Sequence, residues 1–310
     1  MTISTSYWFD RAAQQMSNVQ SRVVKSQAEV ASGKQVQRPS DAPEQAALIQ
    51  RYKSLLARHE NYISNMGLVK ARLDVESGAI DSVVNLMFRA KELVVQASND
   101  SVSASDRQSI ATELQGLRDQ ILSLANSQDN NGNYLFAGSR VGQPAFAAPT
   151  DDPTASPVYQ GDRTRMGVMI GDQRSLPINR AGADVFNRVV RTDGQGNSQG
   201  VEFFKSLDDM IQGVKSSSQS AMQRGNKELD GLLDGLLQAQ ADVGTDMGIL
   251  EQQTFTLEDT LATFKASLAS AEDLDYSKAI TLMNKQMLSL EAAQSSFAKI
   301  SQLSLFNYLR

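Results

Sequence analysis

From Leu48 to Ala97 the chain places an apolar side chain every three or four residues for about fifty residues. The alternation visits Leu48, Tyr52, Leu55, His59, Tyr62, Met66, Val69, Leu73, Glu76, Ile80, Val83, Met87, Ala90, Val94 and Ala97. Only His59 and Glu76 among them are neither apolar nor aromatic. Such regularity is a heptad seam, and it commits the segment to a single helix of roughly 75 Å at ~1.5 Å per residue. A stripe that narrow cannot be buried by the helix that carries it. It needs a partner of similar length.

The partner lies far downstream: Leu229, Leu232, Leu236, Ala239, Val243, Met247, Leu250, Thr254, Leu257, Leu261, Phe264, Leu268 and Ala271. A shorter stripe (Ile110, Leu114, Leu117, Ile121, Leu124) follows a capping box at Ser105 and Gln108. Another (Phe203, Leu207, Met210, Val214) leads into the last long stripe. The expected fold is mainly α: a long antiparallel coiled-coil-like helical rod built from both chain halves. Aromatics are only 6% of the residues, so the core is expected to rest on Leu, Val, Ile, Met and Ala.

Five of the seven prolines lie between Pro144 and Pro177, and ten of the twenty glycines between Gly132 and Gly200. Short alternating runs there (Met166, Val168, Ile170) are separated by Gly-Asp dipeptides, which favour hairpins. These features predict a small inserted β-domain at 140–200. The helical rod is then 41–139 with 201–272, flanked by helical termini at 1–40 and 273–310. The turns of the inserted domain are expected to tolerate change, so that Asp162→Ser costs little.

Both termini carry an apolar stripe with no obvious partner inside the rod. At the N-terminus it runs Ile3, Tyr7, Met16, Val19, Val23; at the C-terminus Tyr276, Ile280, Met283, Met287, Leu290, Phe297. These residues are the candidate assembly interface, with a partner in another molecule. The N-terminal stripe is cut from the rod by a hinge. Gly33 stops one helix, Pro39 lies in the break, and Asp41 is positioned as N-cap of the next, with Pro43 in its first turn and Glu44 completing a capping box.

The chemistry-bearing residues are sparse. Cysteine is absent, which excludes disulfides and thiol chemistry, and His59 is the only imidazole. His59 falls on the seam, where a polar residue sets register. The stretch Asp129–Gly138 has the flavour of a calcium loop but presents Arg140 where the twelfth-position Glu belongs, so it reads as a turn. Gly231/Gly235 and Gly244/Gly248 have GxxxG spacing among polar neighbours, so the membrane meaning does not apply; close approach of a neighbouring helix would be one compensation for their helix cost. Net charge is −5 without a Lys/Arg block. The pairs Arg163–Arg165 and Arg188–Arg191 read as solvated faces, so nucleic acid is not an expected partner. No apolar run reaches membrane-span length, and the N-terminus has no signal-peptide core. No catalytic constellation, cofactor or metal site emerges, and no enzyme is expected.

Four segments together resemble the flagellin superfamily: the hinge "ASGKQVQRPSDAPEQA", "NGNYLFAGS" (Asn131–Ser139), "YQGD" (Tyr159–Asp162) and the C-terminal "DYSKAITLMNKQMLSLEAAQSSFAKISQLSLFNYL". The Gly-Lys-x-Val-x-x-Pro-Ser-Asp-x-Pro hinge is similar to that of the junction branch of the superfamily. The resemblance implies a terminal domain built from both chain ends, a helical rod and an outer β-domain. It also implies an extracellular structural subunit of the bacterial flagellum, exported by the flagellar type III system without a cleaved signal. Implied partners are copies of itself in a junction tier, the adjacent hook-associated junction protein, flagellin, and an export chaperone on the C-terminal helix. A filament flagellin and a soluble helical adaptor or chaperone remain the alternatives.

Overall fold

The computed structural model describes residues 2–152, 154–192 and 198–308, with side chains described between Tyr7 and Lys299. The chain forms two compact units, Met1–Glu60 with Glu258–Arg310 and Asn61–Leu257. The division falls inside the two longest helices, α2 (Pro43–Ala97) and α6 (Gln219–Glu272), not at the hinge.

In the unit Asn61–Leu257 the α2 seam is buried at every step from Met66 to Ala97. The facing α6 residues Leu229, Leu232, Leu236, Ala239, Val243, Leu250 and Leu257 are buried too. Cross-helix pairs give the direction. Lys91 meets Asp230, Gln240 donates to Asp81, and Thr254 Oγ1 donates to Met66 Sδ at 3.5 Å. As one residue number rises the other falls, so the helices are antiparallel. Two shorter helices, α3 (Ala104–Ala125) and α5 (Phe203–Lys215), pack together and join the bundle. Arg118 of α3 holds Asp208 of α5 through two N–H···O bonds of 2.9 and 3.1 Å, and Arg89 of α2 holds Glu113 of α3 at 3.1 and 2.8 Å. The α3 cap lies two residues before its expected place: Ser103 Oγ accepts from Asp106 N–H at 3.1 Å and donates to the Asp106 carboxylate at 2.7 Å.

Glu76, the polar interruption of the seam, is buried and has a partner that no pattern revealed. Arg180 Nη1 lies 3.2 Å from its carboxylate and also reaches Asp246 of α6. Burial still pushes the Glu76 carboxyl above its ordinary range, with Arg180 opposing. The triad ties α2 and α6 to the segment between them.

Among the described residues, that segment holds three two-stranded antiparallel pairs and a one-turn helix, α4 (Gly182–Val185). The pairs are β1 (Phe146–Ala147) with β2 (Val158–Tyr159), β3 (Gly167–Met169) with β4 (Ser175–Pro177), and β5 (Val189–Thr192) with β6 (Ser198–Val201). Their inward residues, among them Phe146, Leu176, Val189 and Val201, belong to the same apolar cluster as the helices. The aromatic content is low but concentrated here. Phe136, Phe146, Phe186, Phe203 and Phe204 meet with centroids 5.2–5.5 Å apart, mostly edge to face, and Tyr159 rests on Phe146 at 5.3 Å. The expectation of a core built on aliphatic residues therefore misses this region.

The motifs "NGNYLFAGS" and "YQGD" are two halves of one joint. Gly138, at φ +68°, lies so close to Asp162 that a Cβ would strike its backbone carbonyl. Asp162 accepts from the N–H groups of Ser139 and Thr164, both at 2.9 Å, and from the Ser139 hydroxyl, and these bonds hold its carboxyl well below the usual range. Tyr159 Oη lies 2.7 Å from Asp162 O and 3.0 Å from Phe136 O, and accepts from Gly182 N–H at 3.2 Å. Burial raises its phenol to about 12. Asp129 is an ordinary turn former: its Oδ1 accepts from Asn131 and Asn133 N–H, and its Oδ2 pairs with Arg72 at 2.9 Å.

Two further expectations change. Arg191 is not a solvated cation, since Glu228 grips its guanidinium at 2.7 and 2.8 Å and Asp209 holds its third nitrogen at 2.6 Å. Gly235 is approached closely, but by Asn187 of the strand segment and not by a helix, and Gly231 is in ordinary contact with Val189. A Cβ on Gly235 would lie 2.6 Å from the Asn187 side-chain amide, whereas Gly244 and Gly248 face open space.

Two substitutions test this core. Leu73→Asp places an unpaired charge in the seam and should cost about 3 kcal/mol or more in chemical denaturation. Asp162→Ser, which removes the acceptor of three bonds, should lower the denaturation midpoint measurably, though by less than Leu73→Asp. If Asp162→Ser leaves that midpoint unchanged, the joint carries no weight.

Candidate functional site

The second unit contains the chain ends. Helix α1 (Thr2–Ser32) and helix α7 (Tyr276–Tyr308) are each other's partner, so the stripes that have no partner inside the rod meet each other and are not left wholly to another molecule. Phe9 and Phe297 meet edge to face at 5.5 Å, and Ser26 Oγ donates to Gln286 Oε1 at 3.0 Å. The numbering again runs in opposite directions, so the pair is antiparallel. Phe9, Met16, Val19 and Val23 line the α1 side at steps of seven, three and four, with Ser26 buried beyond them. Ala279, Met283, Leu290 and Phe297 line the α7 side.

This pairing divides the residues expected to form an interface. Met16, Val19, Val23, Met283, Leu290 and Phe297 are half-buried in the α1–α7 seam. Tyr7, Tyr276, Ile280 and Met287 stay exposed, at 65%, 52%, 42% and 51%. The side chain of Ile3 lies outside the described residues. Sequence reasoning missed Trp8, Val24, Leu282 and Leu288, which are also exposed. They lie off the stripe that was followed, and a second apolar flank on a helix already holding one seam was the signal available. Among the described residues, no helix is long and apolar enough to cross a membrane.

The hinge is built as a clamp. Gly33, at φ +70°, ends α1 and donates to Glu29 O at 2.9 Å. A Cβ there would lie 2.6 Å from Tyr276 Oη, so glycine is required both by its backbone and by the close approach of α7. Beyond it the chain makes a single antiparallel bridge between Lys34 and Asp273. Gln35 N–H donates to Glu272 O and Leu274 N–H to Gly33 O, both at 2.9 Å. The Glu272 carboxylate takes Lys34 at 2.6 Å and Lys53 of α2 at 3.0 Å. Asp41 N–H donates to Arg38 O at 2.9 Å, closing a turn with Pro39 at its second position. Pro43 opens α2, which makes Ala42 the cap position. Asp41 instead pairs with Lys25 of α1 at 3.2 Å. His59 sits against Phe264, edge to face at 5.3 Å, as a seam residue of α2.

The bonds from Lys34 and Lys53 hold the Glu272 carboxyl below its ordinary 4.5. A depressed folded pKa means stabilisation that is complete above 4.5 and is lost as pH falls through the folded value. Glu272→Gln should therefore lower Tm at pH 7, and the difference from the parent should shrink as pH falls below 4.5. Gly33→Ala should lower Tm throughout that range. Equal Tm for Glu272→Gln and the parent at pH 7 would remove the clamp from the account.

Comparison with known proteins agrees with this geometry. The bacterial flagellin N-terminal helical region matches residues 3–140. Flagellar hook-associated protein 3 of Salmonella typhimurium is 27% identical over 323 residues, covering all of both chains, and that of Escherichia coli is 26% identical over 99% of each. Flagellin of Bacillus subtilis is 24% identical over 90% of this chain. In structure, FlgL of Xanthomonas campestris superposes with a TM-score of 0.62, covering 70% of this chain and 99% of that one at 21% identity. The flagellar junction protein FlgL of Legionella pneumophila gives 0.60 over 72% and 99% at 19%. The chain is thus similar over its full length to hook-associated protein 3, and its residues 3–140 match the helical N-terminal region of bacterial flagellin.

Proposed function

We propose that this chain is the structural adaptor at the hook–filament junction of a bacterial flagellum, on which flagellin polymerises. The observation that carries the reading is a terminal helix pair with one seam satisfied internally and a second apolar flank left open. The full-length likeness to hook-associated protein 3, with flagellins matching less well, favours the junction over the filament. The family is a structural one, and the reading assigns the chain no enzymatic activity.

In this reading residues 1–40 and 273–310 form the assembly domain, 41–139 with 201–272 the helical domain, and 140–200 the outer domain. The open flank (Tyr7, Tyr276, Ile280, Met287) meets the neighbours: copies of the chain in one tier, the adjacent hook-associated protein, and flagellin. The Gly33–Pro43 hinge sets the angle at which the pair is presented. Before assembly an export chaperone binds the C-terminal helix, and export runs through the flagellar type III channel without a cleaved signal. Burying an exposed Ile or Met contributes ~1.5–3 kcal/mol each, so a few such side chains suffice to drive a joint between subunits.

The double substitution Ile280→Asp with Met287→Asp isolates this flank, because neither residue lies in the α1–α7 seam. As the only copy in a motile cell, this variant should be secreted, melt as the parent does, and leave hooks without filaments while flagellin escapes into the medium. Normal filaments on such cells would refute the reading. A soluble adaptor or chaperone predicts no change in filaments.

A further inference from the structure

The unit Asn61–Leu257 carries a groove of about 730 Å³ between β5 and the N-terminal portion of α6, which the flagellar reading does not use. Its walls are the consecutive residues Arg188–Thr192 on one side and, on the other, α6 residues between Ser220 and Gly231. No β6 residue lines it, so the groove follows the edge of β5 that β6 does not occupy. Among the described residues, the β5 backbone pairs with β6 alone. An antiparallel pair leaves alternate N–H and C=O groups of each strand facing outward, and a free edge of this kind is a template for another strand.

The groove is also charged against the trend of the molecule. The chain has a net charge of −5, yet the lining holds Arg188, Arg191, Arg224 and Lys227 against the single carboxylate of Glu228. Arg191 is consumed by Glu228 and Asp209 and forms the floor. Arg188 pairs with Glu202 outside the groove and remains 66% exposed, Arg224 lies 3.8 Å from Glu228 yet keeps 46% of its side chain exposed, and Lys227 is exposed on α6. Val190, 74% exposed, stands on the β5 wall as an apolar contact among these cations.

We propose that this groove is a docking site for an extended acidic peptide segment of a partner protein, which adds as a strand to the free edge of β5. Backbone pairing with β5 sets its direction. Its carboxylates face Arg224 and Lys227, and an apolar side chain rests on Val190. The four residues of β5 span about 13 Å, which sets the core of the motif at about four residues. The cations steer the segment in and make the binding sensitive to salt. The inference stands whether or not the chain works at a flagellar junction.

The test uses the full chain and a fluorescein-labelled peptide of alternating glutamate and valine, followed by anisotropy. Two further probes have the same length: alternating lysine and valine, and the Glu–Val peptide N-methylated along its backbone. The Glu–Val peptide should bind, weaken as salt rises, and protect the β5 amides from hydrogen exchange. Lys227→Gln with Arg224→Gln, both exposed and removing the two charges without reversing them beside Glu228, should weaken it by about tenfold or more with the fold retained. The lysine peptide and the N-methylated peptide should fail. No binding of the Glu–Val peptide overturns the proposal. So does equal binding of the N-methylated peptide, which would show a charge patch only. Unchanged affinity in the double variant places the peptide elsewhere and overturns it too.

Discussion

A helix of more than fifty residues with a stripe one side chain wide has no way to satisfy that stripe alone, and this constraint governs both units. Isolated helices gain little from propensity, and their stability comes from covering an apolar face. In Asn61–Leu257 the stripes of α2 and α6 cover each other from Met66 to Ala97. In the other unit α1 and α7 do the same less completely, so that Met16, Val19, Val23 and Leu290 are only half-buried. The difference in depth separates a core that is complete from a pair that still exposes Trp8, Ile280 and Leu288.

Polar residues inside these seams are retained where they join a third element. Glu76 would be costly alone in a buried position, and Arg180 answers it from the strand segment while also reaching Asp246. Arg191 plays the same role between β5, α5 and α6 through Asp209 and Glu228. Glycines follow a similar logic. Gly138 and Gly33 lie at positive φ against Asp162 and Tyr276, where a side chain would push apart segments that must touch. The motifs that carry the flagellin resemblance are, in this chain, the places where distant segments are brought into contact.

What was legible in the sequence was periodic. The α2 and α6 stripes named most of the buried residues of their helices, because a heptad reports burial directly, but they passed over Ile49, Leu56, Val84, Leu93 and Leu233 and included the exposed Leu48. The hinge was legible from Gly33 and Pro43, since both act on the backbone through local geometry. The helix begins one residue later than expected, with Ala42 at the cap position, and the Asp41 carboxylate pairs with Lys25 of the preceding helix. The aromatic cluster was not legible, since Phe136, Phe146, Phe186 and Phe203 come from separate segments with no common period. The terminal residues were recognised as apolar, yet sequence could not sort Met283 from Met287. They are neighbours on one helix, and only the position of α1 turns the first inward and leaves the second out.

That sorting is the central claim, and a chain without cysteine allows it to be measured cleanly. Single variants Met283→Cys and Met287→Cys, labelled with a thiol reagent in the purified monomer and again in isolated flagella, read the two sides of α7 separately. The account predicts slow labelling at 283 in both states, and fast labelling at 287 in the monomer that becomes slow on assembly. Equal labelling of the two positions in the monomer, or a position 287 that stays reactive in assembled flagella, would contradict it.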